Sequence, residues 1–397
     1  MKNLKSIYLI IPFILVLFPL QVEAQEALNE LIFKDQPINF NGVTGSDEQV
    51  RRLHNGRLIY KKMTLPEFSE GTDVTLKLTL RSAGDRWDKS GSCFVVSDPG
   101  SISILDVGEQ VREFPENSGI MGRFPGIRAT AEFEPALELL RFITPYGVGL
   151  DKEEIDAYRK PVYIPKWEKQ VTWETDVSHL LSRVEKSFYI GVWIDTWTEE
   201  GYLLDLSLQY SNRPRKTMEV KPLVNTIYYI KGQSLPEFYA TTDLDQSFDF
   251  ESDVRNVKLH YTTTGHGGHS EGDEFSKKKN RLWIDGQLVL DFVPWRDDCA
   301  SFRRYNPTSG VWLKKDSASY IDFQERAYKI KEIEERIASS DLSRSNWCPG
   351  SKVEPVVIDL GDMKAGTHEL KISIDAAAAG EDKYNHWLTS AYLTYEN

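Results

Sequence analysis

Cysteine is scarce in this chain: three residues in 397, Cys93, Cys299 and Cys348. So few exclude a disulfide-framework fold, and the odd count allows at most one internal disulfide with one thiol left over. Positive charge is in deficit, with 48 lysines and arginines against 60 acids and a formal net charge of −12. That balance disfavours duplex or phosphate-rich partners, so no nucleic-acid partner is expected. Past Leu20 no apolar run reaches the length of a membrane-spanning helix. Internal repeats, coiled-coil heptads and low-complexity tracts are absent, which excludes solenoid and fibrous architectures. Histidine is sparse at seven residues, and no helical His-Glu-x-x-His frame of a zinc hydrolase occurs.

What is present begins with an export signal. Lys2 and Lys5 precede the apolar run Ile7 to Leu20, and Val22-Glu23-Ala24 places small residues where a signal peptidase reads them. The pattern predicts cleavage before Gln25, with residues 1–24 removed. Residue 25 is not a cysteine, so no lipid attachment or membrane anchor is expected, and the mature protein is expected in a periplasm or outside the cell. At 40% hydrophobic and 12% aromatic, the remaining chain can bury two cores of ordinary size.

The apolar periodicity is that of β-strands. Val74, Leu76, Leu78 and Leu80 alternate, as do Tyr202, Leu204, Leu206, Leu208 and Tyr210, then Val356, Ile358 and Leu360, then Leu370, Ile372 and Ile374. Gly, Pro, Asn and Asp clusters separate them without regular helices, which favours antiparallel sandwiches or jelly rolls over a βαβ fold. One stretch breaks the pattern. Phe323, Ala327, Ile330, Ile333 and Ile337 follow helical spacing, with Glu325 and Lys329 as an i,i+4 pair, which predicts a helical insertion. The Ser-Asn-Arg-Pro-Arg-Lys stretch reads as a linker near residue 215. The expected organisation is an N-terminal extension of unknown role at 25–65, a first domain at 66–214 and a second at 215–397.

Three acidic positions stand beside aromatic or histidine residues. Asp88 lies in Asp-Arg-Trp-Asp just past a strand end, where loop residues reach clefts; a solvated charge or turn cap is its bland reading. Asp195 shares a strand face with Trp193 and Trp197. That triplet is either an indole donor satisfied by a carboxylate or an aromatic platform for a pyranose ring. Glu274 closes the glycine-rich run from Thr264, which holds His266 and His269. A metal site is one reading of this run, but two histidines three apart in a loop lack a rigid ligand set. The other is a loop whose glycines let backbone approach a substrate closely.

Together these segments resemble a known family. Trp87-Asp88, Arg-Phe-Ile-Thr-Pro-Tyr-Gly-Val-Gly from Arg141, Asp-Thr-Trp from Asp195, the Gly-His loop through Glu274, and Arg-Ser-Asn-Trp-Cys-Pro-Gly from Arg344 follow the order seen in bacterial peptide-N-glycosidase F. The resemblance covers roughly residues 66 to 397. It implies a mainly β chain of two adjacent eight-stranded antiparallel jelly-roll sandwich domains, with the helical stretch as an insertion in the second. It also implies metal-independent hydrolysis, needing no cofactor, of the amide joining an N-glycan to asparagine. The partners would be N-glycosylated proteins or glycopeptides, and a monomer is favoured.

By the same resemblance Asp88 matches the principal catalytic aspartate and Glu274 a catalytic glutamate, while Asp195 stands where the family has another glutamate. Trp87, Lys89, Trp197, His266, His269, Arg344 and Trp347 fall at or beside substrate-contacting positions. Departures are Asp195 itself, Lys89 for an arginine and His266 for a tryptophan. Cys348 matches a disulfide-bonded position, which implies a Cys299–Cys348 bond with Cys93 free and packed as a small hydrophobe. Two other functions fit the same residues: a glycoside hydrolase, which would leave a GlcNAc on the peptide, and a glycan-binding protein that has lost catalysis.

Overall fold

A computed structural model describes residues 28–397 except 47–48, 67–71, 98–99, 117–118, 152, 154–163, 182–186, 213–217, 228–237, 269–271 and 379–384. The expected leader, the boundary near residue 215 and His269 lie outside the described residues. The chain is mainly β and forms two domains, each a pair of packed sheets.

In the first domain one sheet runs in the order Leu28–Ile38, Tyr202–Asn212, Thr72–Ser82, Val171–Asp176. The other runs Lys352–Val353, Leu137–Ile143, Ser90–Ser97, Ser187–Ile194, Leu58–Thr64, Arg51–Leu53, Gly45–Ser46. The alternating leucines do what their period requires: Leu76, Leu78, Leu80, Leu204, Leu206 and Leu208 face Phe188, Ile190, Val192 and Ile194 across one buried core. The second domain stacks Glu219–Asn225, His386–Glu396, Val254–His266 and Val356–Met363 on Leu244–Phe250, Gly366–Ile374, Asn280–Ile284 and Gln287–Phe292. Among the described residues the sheets of the first domain thus hold four and seven strands against the expected eight in all, and those of the second hold four each. Residues expected to form a separate extension instead supply strands to both sheets of the first domain, because Leu28–Ile38 pairs with Tyr202–Asn212 and Leu58–Thr64 with Ser187–Ile194.

The domains are joined by a shared interior. The outer face of the seven-stranded sheet buries Tyr60, Phe94 and Trp193 against Ile227 and Leu388 of the second domain. Beside them the buried pair Arg141 and Glu138 spends its hydrogen bonds across the boundary. Arg141 Nη1 donates to Thr264 Oγ1 and to the Leu388 carbonyl, each at 3.0 Å, and Ser390 Oγ donates to Glu138. Lys352–Val353, from the second half of the chain, extends the first domain's sheet by pairing with Phe142 and Arg141.

The expected helical insertion is a β-hairpin. Val311–Asp322 pairs with Ala327–Ala338 in unbroken register from Val311↔Ala338 to Asp322↔Ala327. The pair that suggested a helix turn does form, but for another reason: Lys329 Nζ lies 2.7 Å from Glu325 and 2.8 Å from Asp322 because the hairpin turn brings them together. Ile330 and Ile333, three apart, fall on opposite faces of their strand.

Candidate active site

The strand Ser90–Ser97 begins where its antiparallel neighbour Ser187–Ile194 ends, with Gly91 opposite Ile194. Residues just before the first and just after the second therefore meet at one end of the sheet. Asp88 and Asp195 occupy those two places, and Asp195 N donates to the Ser90 carbonyl at 2.9 Å.

The loop carrying Asp88 is fixed from several sides. Buried Asp85 accepts from Trp87 N at 3.0 Å and from Thr196 Oγ1 at 2.7 Å. Tyr202 donates its hydroxyl to the Trp87 carbonyl at 2.6 Å, and Lys89 N donates to Thr144 Oγ1 at 2.8 Å. With the peptide groups on both sides of Asp88 held, its side chain leaves the loop in one direction. Trp87 stays half-exposed, its ring 6.3 Å from that of Tyr146.

Arg344 of the second domain meets Asp88. Its Nη2 lies 3.9 Å from Asp88 Oδ2, and its Nε donates to Glu274 Oε1 at 2.9 Å. Nη1 and Nη2 each donate once, to the Leu342 and Ser339 carbonyls at 2.8 and 2.9 Å, so among the described residues three of the five N–H groups of this fully buried guanidinium are hydrogen-bonded. Its plane rests on Trp347 and Phe275, at 4.9 and 5.1 Å from the ring centroids. Trp347 is itself anchored by donating Nε1 to the Gly265 carbonyl at 2.8 Å, and its neighbour Cys348 is bonded to Cys299 with Cα atoms 5.1 Å apart. The disulfide implied by the resemblance is thus present, and Cys93 is buried and free. Glu274 is held through Ser345 N, which donates to its carbonyl at 2.9 Å. The backbone of Gly267 also favours the charged form of the Glu274 side chain, from a φ of +141 that suits glycine alone.

The electrostatics follow from burial beside one cation. Burial is the largest influence on Asp88 and raises its carboxyl above the ordinary value, while Arg344 and the Tyr146 hydroxyl pull it down. Asp88 Oδ2 is buried with no hydrogen-bond partner among the described residues. For Glu274, burial first and the charge of Asp88 second push the value up to about 7 against the pull of Arg344. Two carboxyls that repel each other around one guanidinium share their protons as a pair.

Asp195 stands to the side of this pair. Its Oδ1 lies 3.1 Å from Arg57 Nη1, and burial raises it to about 6 against the pull of Arg57, Lys89 and the Trp197 side chain. Arg57 lies 4.2 Å over the Trp197 ring and 5.1 Å from Phe40, whose ring is 5.2 Å from Trp197. Trp197 remains exposed, whereas Trp193 points into the interdomain core. Lys89 is half-buried between Asp88 and Asp195.

Two expected substrate contacts lie deeper. His266 is buried in a stack between His386 at 4.9 Å and Trp347 at 5.4 Å, with Nε2 at 2.9 Å from Thr264 Oγ1. Burial holds its ring well below its ordinary value, so it is neutral. Trp347 is 3% exposed. Both support Arg344 from behind. Arg57 and Tyr146 are the site residues that the sequence did not reveal. Tyr146 sits in the Arg-Phe-Ile-Thr-Pro-Tyr string without a charge to mark it, and Arg57 lies in the segment set aside as an extension. Among the described residues no three His, Cys, Asp or Glu side chains gather as a ligand set for a metal.

Family models match both halves of the chain: peptide-N-glycosidase F, N terminal, over residues 31–210, and its C-terminal counterpart over residues 234–394. Among solved structures, PNGF-II in two crystal forms is 31% and 30% identical with TM-scores of 0.80 and 0.81. Each covers 94% of this chain, which in turn spans 66% and 65% of theirs, just under two thirds of the PNGF-II length. PNGase F, described as a glycosylasparaginase from Flavobacterium meningosepticum, matches at 14% identity and a TM-score of 0.56. The match covers 94% of this chain and 96% of that one, a likeness of fold. No curated protein matches the sequence. With both family models matching, the chain belongs to the peptide-N-glycosidase F family.

Proposed function

We propose that the protein is an exported amidase that hydrolyses the bond between an N-linked glycan and its asparagine. Water adds to the side-chain carbonyl carbon of asparagine, the carbon–nitrogen bond breaks, and the nitrogen leaves with a proton as a glycosylamine. The peptide keeps an aspartate. The observation that carries this reading is the convergence of Asp88 and Glu274, one from each domain, on the single guanidinium of Arg344.

An amide needs both a base to deprotonate water and an acid for the departing nitrogen, each contributing about 10²- to 10⁴-fold. Asp88 and Glu274, both raised by burial and each repelling the other's charge around one guanidinium, can divide these roles between them. Asp88 Oδ2 is the base in this scheme, since its unpartnered lone pairs can orient water. Glu274, pushed up by burial and by the charge of Asp88, is the acid. Arg344 faces the charge that develops on the carbonyl oxygen. Trp87 and Trp197 offer exposed aromatic faces to pyranose rings, and Asp195, Lys89 and Arg57 supply polar contacts beside them.

Incubation with a denatured N-glycoprotein tests the proposal. Mass spectrometry should show aspartate at each former glycan-bearing asparagine and release of the intact glycan. A GlcNAc left on the peptide would assign a glycoside hydrolase, and an unchanged glycoprotein a binding protein.

A further inference from the structure

The hairpin Val311–Asp322/Ala327–Ala338 exposes large apolar side chains that no core requires. Phe323, Tyr328 and Ile330 are 85%, 81% and 76% exposed, and Ile321 lies directly opposite Tyr328. Alternation places Ile321, Tyr328 and Ile330 on one face near the tip, with Phe323 in the turn. Scattered exposed apolar residues are ordinary, but four gathered at the end of an arm mark an interaction surface. Each twelve-residue strand reaches roughly 40 Å at about 3.3 Å per residue. The two strands form a sheet of their own, so among the described residues their outer edges are unpaired and can receive a further strand.

Two observations say what it receives. The hairpin's base is continuous with the candidate active site: Ser339, the residue after the second strand, gives its carbonyl to Arg344 at 2.9 Å, and its N donates to the Gly310 carbonyl at 2.7 Å. The arm is also electrically balanced, with six basic and six acidic residues from 311 to 338, on a chain of net charge −12. A neutral arm is not built for an anionic lipid surface or nucleic acid. It suits an extended, apolar polypeptide leaving the cleft. We propose that this hairpin docks the unfolded polypeptide flanking the glycosylated asparagine. The inference rests on the amidase reading for its role, though its binding step is measurable without catalysis.

The test uses the full chain, a triple variant Phe323→Ser, Tyr328→Ser and Ile330→Ser, and a milder single variant Tyr328→Ser. Fluorescence anisotropy with reduced, alkylated, unglycosylated ribonuclease reads polypeptide binding. Cleavage of a glycosylated tripeptide and of a denatured glycoprotein reads catalysis. The triple variant should bind the unfolded chain about tenfold more weakly and show a correspondingly higher KM on the glycoprotein. Its kcat/KM on the tripeptide should equal wild type, and Tyr328→Ser should fall between. Equal binding by all three proteins overturns the proposal. So does loss, in the triple variant, of binding to neutral phosphatidylcholine vesicles or of a wild-type dimer while polypeptide binding persists. If wild type cleaves neither glycosylated substrate but the triple variant still loses polypeptide binding, the amidase reading falls and the binding arm stands.

Discussion

Arg344 hydrogen-bonds Glu274 at 2.9 Å while standing 3.9 Å from Asp88, so a single buried cation serves carboxylates from two domains. Its positive charge lowers the values of both. Arg344→Met should therefore raise both, moving the acid limb of the pH–rate profile to higher pH, and reduce kcat by about 10²- to 10³-fold. Arg344→Lys keeps a charge but not the planar fork, and should shift the limb less. A limb that stays in place in Arg344→Met would separate this arginine from the pair.

Glu274 also leaves a signature in stability. Its carboxyl is raised from 4.5 to about 7, so between those values the folded state binds more protons than the unfolded state, and stability falls as pH rises through that window. Glu274→Gln removes this penalty. Tm measured from pH 4 to 8 should show wild type losing ground to the variant between about 4.5 and 7, while catalysis in the variant drops by about 10²- to 10⁴-fold. Parallel Tm curves would show that Glu274 is not perturbed.

The salt bridge between Asp195 and Arg57 predicts an asymmetric pair of variants. Asp195→Glu keeps a carboxylate facing Arg57 and should retain activity. The longer side chain displaces the group by roughly 1.5 Å, which the exposed Trp197 side of the site can absorb. Arg57→Ala leaves a partly buried carboxylate without its cation, at a cost of about 1–3 kcal/mol, and removes the support under Trp197, so KM should rise. Kinetics on one glycopeptide decide the matter, and inactivation by Asp195→Glu would contradict the arrangement.

The Cys299–Cys348 bond closes a sequence separation of 49 residues, for which loop entropy gives about 4 kcal/mol. Cys299→Ser with Cys348→Ser should lower unfolding free energy by about 2–4 kcal/mol in a denaturant titration. It should also reduce kcat, because Cys348 adjoins the tryptophan on which Arg344 rests. A loss of stability with unchanged kcat would limit the bond to the scaffold.

Strands with a single buried face were legible in the sequence, since leucines at every second position admit one reading once burial is required. Asp88 and Glu274 were legible through the resemblance, not through spacing. The hairpin was not legible: its two strands are exposed on both faces, so no core imposed a period of two, and isoleucines three and four apart imitated a helix. Arg57 was missed because its partners lie more than a hundred residues away, Ile194 N donating to its carbonyl and Asp195 accepting from its side chain, a pairing that local pattern does not reveal. The burial of His266 and Trp347 also depends on packing between distant segments, here the loop at Gly265 and the disulfide-linked turn.

The central claim is amide hydrolysis dependent on Asp88, and its most direct measurement is cleavage of a denatured N-glycoprotein in oxygen-18 water by wild type and Asp88→Asn. Wild type should place the heavy oxygen in a new aspartate at the former glycan site. The Asp88→Asn protein, folded as judged by its circular dichroism spectrum, should place none. Label in the released sugar instead of the peptide, or equal labelling of the peptide by both proteins, would contradict the account.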